Sequence, residues 1–397
     1  MNQVPTSWYY YPIIALFSAI LMWSTAFIIC SFQGISISSL NWLVADAQHY
    51  ESVKNTGYES PFLAAFFPLF PFLWRLTGLS AIGIGLVNGA LFITSAGLLG
   101  QTFKLPLRYF MLYCSLPLNV FYFLPYSESI FAFAMVLLLI GIFKWNWWQM
   151  IIGVVMCSFC RPTAALLVPA LLLATCLLKE KTGIKRKLLV LPLAASMAFF
   201  GVLLLQSMET GSLITFFEAQ RGWGSFWRLP KFPLTSWGNA FNLSLDVLSL
   251  FISTMCGLGF VMALKKKLKL SFIEWFSIAF IGGTGLLVVL TRGGELYSLS
   301  RFVYCIPAFP FAMAVLFRES LIPRKALIGI LFFFPWLFGI HVHIQAALTA
   351  SLLSAIVAGS ILFWSSNTTW KSTLVIAMLA VLQAYCCSLF LQGHWLG

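Results

Sequence analysis

Residues 8–30 read WYYYPIIALFSAILMWSTAFIIC, an unbroken apolar and aromatic run with no charged side chain. A run of that length suits a membrane-spanning helix. It is too long and too aromatic for a cleaved signal peptide, its flank MNQVPTS carries no Lys or Arg, and no small-residue cleavage site follows. Similar runs of about 15 to 22 residues recur to the end of the chain, the pattern of a polytopic helical membrane protein. Composition agrees: 60% of the 397 residues are hydrophobic, 39 are Phe, and mean hydropathy is +0.93. A transmembrane β-barrel would alternate apolar and polar residues, and these runs do not. The expected fold is therefore an all-α bundle of eleven to thirteen spans forming one integral membrane domain over residues 1–397.

The net charge of +13 is not gathered into a nucleic-acid-binding face. It sits in short clusters between apolar runs, as the positive-inside rule expects of cytoplasmic loops. The strongest are Lys179–Lys187 (KEKTGIKRK), Lys265–Lys269 (KKKLK) and Arg318–Lys325. Placing these three inside predicts spans near 80–101, 107–124, 128–143, 147–160, 163–178, 188–206, 243–264, 272–291, 302–318, 326–346, 348–364 and 373–390, after the first span. Of 24 Lys and Arg, 16 then fall inside and eight outside, while eight of the 11 acids fall outside. Two large external loops result, 31–80 and 207–240, with residues 326–397 forming a C-terminal set of helices. No GxxxxGK[ST] and no GxGxxG is present, so nucleotide hydrolysis is not suggested. The nine Cys show no paired metal spacing, and the CxxC of Cys157 and Cys160 lies within an apolar run.

The first loop, residues 41–75, reads NWLVADAQHYESVKNTGYESPFLAAFFPLFPFLWR. It concentrates charge in a chain where only 9% of residues are charged. Asp46 and His49 are three apart and Asp46 and Tyr50 four apart, so a helix there puts them on one face. Asp46 suits a general base at the membrane border, or a cap for a short helix that Gly57 ends. The prolines of FFPLFPFLWR predict a broken interfacial helix rather than a span. Tyr126-Ser127-Glu128-Ser129 opens a span, where Glu128 helps cap the helix, pairs with Arg75 or Arg161, or hydrogen-bonds a hydrophilic substrate. Arg161 and Arg301 stand between apolar runs and need a counter-charge, either a protein carboxylate or a phosphate. In the loop 207–240, Gln220, Arg221 and Trp223 belong to a mix of polar hooks and aromatic plates. Such a mix suits carbohydrate or lipid headgroups and equally an interfacial Trp belt.

Taken together, these segments resemble the PIG-V-like mannosyltransferases, the family of the enzyme that adds the second mannose to glycosylphosphatidylinositol anchors and of its prokaryotic relatives. The resemblance runs in the family's order over residues 8–318. It is carried by Trp42, Asp46, His49, Tyr50, Gly57 and Tyr58; by Phe66 to Pro71 and Arg75; by Tyr126 to Ser129; by Phe217, Gln220 and Trp223; and by Arg301, Phe302, Phe309 and Pro310. The chain departs from the pattern in two places. Trp42 stands four residues before Asp46, where the family has tryptophan immediately before the aspartate. Arg161-Pro162-Thr163-Ala164 replaces an Arg-Ser/Thr-Asn-Gly.

The resemblance implies a GT-C-type glycosyltransferase. It would take mannose, or another hexose, from a polyprenyl- or dolichyl-phosphate sugar to a glycolipid or glycan acceptor, with inversion. Asp46 would act as base, with His49 orienting it or touching phosphate and Glu128 anchoring the acceptor sugar or an arginine. Arg161 and Arg301 would bind the donor phosphate, and Tyr50, Arg75, Tyr126, Gln220, Arg221 and Trp223 the substrates. No cofactor is expected, divalent-metal dependence stays open, and nucleic acid is not a partner. The implied setting is the plasma membrane of a bacterium or archaeon, or the endoplasmic reticulum membrane of a eukaryote, with the site on the outer or lumenal face. The rival readings are a transporter or flippase of a lipid-linked sugar, a related enzyme moving a different glycan, and a structural membrane protein.

Overall fold

The first apolar run forms α1 (Tyr10–Phe32), and its packing sets the theme of the fold. Its buried residues are Tyr11, Ala15, Ala19, Met22, Ala26 and Cys30, a stripe at three- and four-residue spacing rich in small side chains. Phe17, Ile20 and Ile28 on the other faces are exposed. Between lipid-bathed helices no hydrophobic drive separates inside from outside, so small residues mark the contact and large apolar ones meet lipid. In this computed structural model, residues 9–35, 38–237, 240–317, 321, 337, 369–394 and 396 are described.

After α1 come α2 (Asp46–Thr56) and α3 (Leu69–Thr77), then α4 (Ala81–Phe103), α5 (Leu107–Cys114), α6 (Glu128–Lys144) and α7 (Trp147–Cys160). A 3-10 turn at Pro162–Leu166 leads into α8 (Leu167–Leu177), followed by α9 (Thr182–Leu188) and α10 (Val190–Thr210). The amphipathic α11 (Thr215–Gly222) precedes α12 (Ala240–Lys265), α13 (Phe272–Arg292), α14 (Leu299–Tyr304) and α15 (Phe309–Leu316); the last described helix is α16 (Thr369–Leu391). The described residues contain no β-strand. The bundle pairs α6 with α7 and α12 with α13, sets α1 between α4 and α16, and docks α8 and α10 on each other. Buried residues from α1 to α16 form one large core, and Phe67, Val202 and Phe216 form a small separate cluster.

Among the described residues, six helices are both long and apolar enough to cross a membrane: Tyr10–Phe32, Ala81–Phe103, Thr182–Thr210, Phe241–Lys265, Phe272–Arg292 and Thr373–Leu391. The chain is thus a multi-pass helical membrane protein, but fewer of its expected spans are single helices than the hydropathy pattern predicts. The run at 107–124 stops at Cys114 and resumes as a 3-10 turn at Asn119–Phe123, because Pro117 can neither donate to the helix ladder nor let it pass without a clash. Pro307 divides the run at 302–318 into α14 and α15 in the same way. α6 and α7, at 17 and 14 residues, are short for a bilayer, as the sequence indicated. The expected spans near 326–346 and 348–364 and the basic segment Arg318–Lys325 fall outside the described residues.

The proline-rich FFPLFPFLWR segment is a nine-residue helix, α3, closed by Gly78 in the left-handed conformation, and does not span. Helix starts follow local chemistry. Ser80 caps α4, Asn146 caps α7, and Ser271 with Glu274 forms a capping box on α13. Two basic loops meet at one end of the bundle, where Lys179 Nζ donates to the Lys267 carbonyl at 3.1 Å. Helices that enter or leave that end run toward Glu128, Arg161, Thr210 and Arg292 at the other.

α6 and α7 approach each other closely. A Cβ placed on Gly153 would lie 2.5 Å from Leu138 N and 2.7 Å from the Ala134 carbonyl, both backbone atoms that cannot rotate away. Gly153→Val should therefore destabilise the protein by about 1–3 kcal/mol through overpacking. Thermal unfolding of the detergent-purified protein checks this, and an unchanged midpoint would refute the close α6–α7 approach.

Candidate functional site

Four charged side chains from four separate segments meet at the end of the bundle away from the basic loops. Arg301 Nη2 lies 2.6 Å from Asp46 Oδ2, and Arg301 Nε lies 3.0 Å from Glu128 Oε1. The same Glu128 oxygen lies 3.1 Å from Arg161 Nη2. Glu128 is only 1% exposed and Arg161 4%. Two cations and two carboxylates compensate one another, which is what allows charges to persist where water is absent.

Local geometry explains how each arrives. Asp46 is the first residue of α2, and Gly57 ends that helix as the sequence suggested. Ala45 immediately before it holds φ 52°, a left-handed backbone uncommon for a residue with a Cβ, and no side chain caps the helix. The Asp46 carboxylate thus serves an ion pair with Arg301 rather than a cap bond. Ser298, with φ 62° and ψ 2°, takes the left-handed helical conformation just before α14 and Arg301. Glu128 opens α6, and Arg161 follows the last residue of α7 in an extended conformation.

The residues of Tyr126-Ser127-Glu128-Ser129 are each tied down. Tyr126 Oη donates to the Val44 carbonyl at 2.8 Å, Ser127 Oγ and Tyr50 Oη are 2.8 Å apart, and Ser129 Oγ donates to the Tyr122 carbonyl at 2.7 Å. Asn88, buried on α4, donates to the Leu124 and Tyr126 carbonyls. The segment therefore locks the first loop onto α6 two residues before Asp46. Burial, reinforced by Glu128 and Asp46, pushes the Tyr50 phenol up, so it stays protonated and available for the Ser127 bond.

Beside this cluster lies a cavity of about 930 Å³. Asp46, His49, Tyr50, Arg161, Gln220, Arg221, Trp223 and Arg301 all line it, so both external loops contribute, as expected. The remaining candidates do not. Glu128 and Tyr126 are buried outside the lining, and Arg75 is exposed on α3 without an ion pair to Glu128. Glu128 acts through Arg161 and Arg301. Of the partners weighed for it, Arg161 is realised, Arg75 is not, and Arg301 joins.

The two loops are joined by aromatic contacts. Trp223 stacks on Phe62 at 4.2 Å between ring centroids, and His49 stacks on Phe66 at 5.0 Å and meets Trp223 edge-on at 5.2 Å. Glu209, at the end of α10, accepts the Tyr58 N–H at 2.6 Å, and Gln206 donates to the Ala64 carbonyl at 2.8 Å. Gly57 is required there: it holds φ 68°, and its missing Cβ would sit on the Glu209 carboxylate.

Several lining residues escaped sequence reading. Arg292, at the end of α13, donates to the Tyr297 carbonyl, and its Cζ lies 3.7 Å from the Tyr297 ring centroid. Trp237 stacks on Tyr297 at 4.1 Å. Asp246, buried in α12 behind the cavity, accepts from Ser236 Oγ at 2.5 Å and from Ser300 N at 2.9 Å, fixing the backbone next to Arg301. An ionisable residue inside an apolar run is the signal that could have found Asp246. Arg292 was visible only as the charge ending a span. No group of three or more His, Cys, Asp and Glu among the described residues is arranged to hold a metal ion. No protein-family model, curated protein or solved structure matches the chain.

Two outcomes test this geometry. Glu128→Gln leaves Arg161 and Arg301 short of a buried counter-charge and should cost about 3–5 kcal/mol of stability, read as a lower unfolding midpoint. His49 is shifted below 6.5 by burial, with Asp46 opposing. The folded chain favours neutral imidazole and the unfolded chain takes up the proton first. Stability from this residue should therefore be full above pH 6.5 and fall as pH drops below it. Replacing His49 by Gln should flatten that limb of the pH–stability curve, and an unaltered slope would refute it.

Proposed function

We propose that this protein is a membrane glycosyltransferase of the GT-C type that moves a mannose, or another hexose, from a polyprenyl- or dolichyl-phosphate sugar to a glycolipid or glycan acceptor. The observation that carries the reading is Asp46 on the wall of a cavity that is both arginine-rich and aromatic, with its Oδ2 already held by Arg301. Oδ1 has no hydrogen-bond partner among the described residues, so it can accept a proton from an acceptor hydroxyl.

In this mechanism the acceptor oxygen attacks the anomeric carbon while Asp46 takes its proton. The bond from that carbon to the phosphate oxygen breaks on the opposite face, so the configuration inverts. The departing lipid phosphate gains negative charge, which arginines stabilise without a proton donor. Arg161 and Arg301 are held in place by Glu128 for that task, and His49 and Tyr50 shape the wall beside Asp46. Gln220, Arg221 and Trp223 offer hydrogen bonds and an aromatic face for sugar. A donor whose tail stays in lipid needs no nucleotide site, in keeping with a chain that has no nucleotide motif.

The basic loops at the opposite end of the bundle favour an outer or lumenal site by the positive-inside rule. The rival, a lipid-linked-sugar transporter, would place its charged residues near mid-membrane on broken helices. Here Asp46, Glu128, Arg161 and Arg301 stand at helix ends or beside them.

The test is transfer of radiolabel from polyprenyl-phosphate mannose in membranes containing the native chain or Asp46→Asn. Label should enter a new product with the native chain and fall by roughly 10²–10⁴-fold in the variant at equal protein level. Unchanged transfer in Asp46→Asn removes Asp46 as base. Movement of the lipid-linked sugar across the membrane without transfer would make the protein a transporter.

A further inference from the structure

Arg161 and Arg301, the cations that the sequence marks for a phosphate, are already engaged. Arg161 is paired with Glu128, and Arg301 with both Glu128 and Asp46. Their charges are cancelled close by, so their pull on an incoming anion is much reduced. Four arginines line the cavity, Arg161, Arg221, Arg292 and Arg301, against one lining carboxylate, Asp46, with Glu128 behind. Asp246, buried behind the cavity and facing Arg292 through space, is a third carboxylate, so four cations stand against three carboxylates and leave a surplus of one positive charge.

Arg221 and Arg292 differ in setting. Arg221 is exposed on α11, where water screens it. Arg292 is half-buried at the end of α13 and has no carboxylate within ion-pair distance among the described residues. Its guanidinium is nonetheless fixed. It donates to the Tyr297 carbonyl and packs on the Tyr297 ring, and its own carbonyl accepts from Arg228 Nη2 at 2.7 Å. The loop after α11 pairs along this edge, with Phe226 N donating to the Thr291 carbonyl and Lys231 N to that of Gly293. The Cζ atoms of Arg161, Arg292 and Arg301 lie 5.1, 5.5 and 5.4 Å from the Phe302 ring, so all three guanidiniums surround one cavity-lining side chain. An ordered, half-buried cation with no carboxylate in contact, beside two that are paired, offers its free donors to an anion in the cavity.

We infer that Arg292 is the primary phosphate-binding residue of this cavity and that its ligand is the phosphate of a polyprenyl-type lipid. This rests on the glycosyltransferase reading above and refines it: Arg161 and Arg301, already paired with Glu128 and Asp46, add to the field at the departing phosphate, and Arg292 contacts the donor phosphate directly. A sugar phosphodiester carries one negative charge. Release of the glycosyl group from the phosphate oxygen leaves a lipid monophosphate with a second. The second charge develops beside Arg292, which no carboxylate contacts, so the leaving group is favoured over the bound donor, the direction catalysis requires.

The experiment measures equilibrium binding of farnesyl phosphate, farnesol and inorganic phosphate to the full-length protein in nanodiscs. The native chain should bind farnesyl phosphate. Arg292→Gln should weaken that binding by about tenfold or more, and Arg292→Lys should recover most of it. Farnesol should bind native and Arg292→Gln alike, which shows that the variant is folded and that the loss belongs to the phosphate. Equal farnesyl phosphate affinity in native and Arg292→Gln overturns the role of Arg292 and leaves the glycosyltransferase reading standing. No binding of farnesyl phosphate to the native chain overturns the lipid-phosphate donor itself. Inorganic phosphate binding as tightly as farnesyl phosphate overturns the lipid source of the anion.

Discussion

The carboxylate of Glu128 is almost wholly removed from solvent, yet it holds two guanidiniums at once, one from the junction after α7 and one from α14. Much of the site's geometry follows from that constraint. A charge so placed is tolerable only with ordered partners, so α6, the α7–α8 junction and α14 must converge at one point. Arg301 extends the chain of charges to Asp46 and so fixes the start of α2 as well. Four segments that are far apart in sequence are pinned by a handful of ionic contacts. Phe121, Tyr126 and Phe302 crowd Arg301 at 5.4 Å, and Phe302 lies beside Arg161 too. These rings strengthen the contacts by excluding water from them.

The bundle beneath is built on the opposite principle. Its helices touch through small residues, as α1 does along Ala15, Ala19 and Ala26 and α7 does at Gly153. On α1 the large apolar side chains Phe17, Ile20 and Ile28 point outward, whereas α6 and α13 also bury large ones such as Phe131 and Phe276. Such packing is close but chemically plain, and it supplies rigidity rather than specificity. The irregular pieces, α2, α3, the 3-10 turn at Asn119–Phe123 and α14, collect around the charge cluster. Backbone that leaves the helical ladder needs polar partners, and here Tyr58, Tyr126, Asn88, Ser129 and Gln206 supply them. The charge cluster and the irregular backbone share one end of the molecule for that reason.

The cavity joins two kinds of surface. One side carries Asp46 and the arginines; another is formed where Trp223 closes on Phe62 and His49, bringing the second external loop against the first. Asp246 bonds both Ser236 in the second loop and the backbone of Ser300 beside Arg301, so the loop that shapes the aromatic side is anchored to the charged one. Polar and aromatic recognition are thereby held in register by a residue that lines neither.

Hydropathy and charge spacing by themselves determined that this chain is a helical membrane protein, that the basic loops at 179–187 and 265–269 lie together, and that 31–80 is a polar loop containing a broken helix. These are properties of composition and local spacing, and local rules suffice for them. The same reading brought Asp46, His49, Tyr50, Arg161, Gln220, Arg221, Trp223 and Arg301 to notice, because charged or amphipathic residues stand out beside apolar runs. It could not tell that Pro117 and Pro307 would divide two apolar runs rather than merely kink them, since hydropathy averages across a break. Nor could it pair charges. Glu128 had Arg75 and Arg161 as candidate partners, and only the folded chain placed Arg301 beside it, left Arg75 out of the pair and kept carboxylates beyond ion-pair distance of Arg292 among the described residues. Charge pairing depends on distances of a few ångströms between segments more than a hundred residues apart, and that information exists only after the helices have packed.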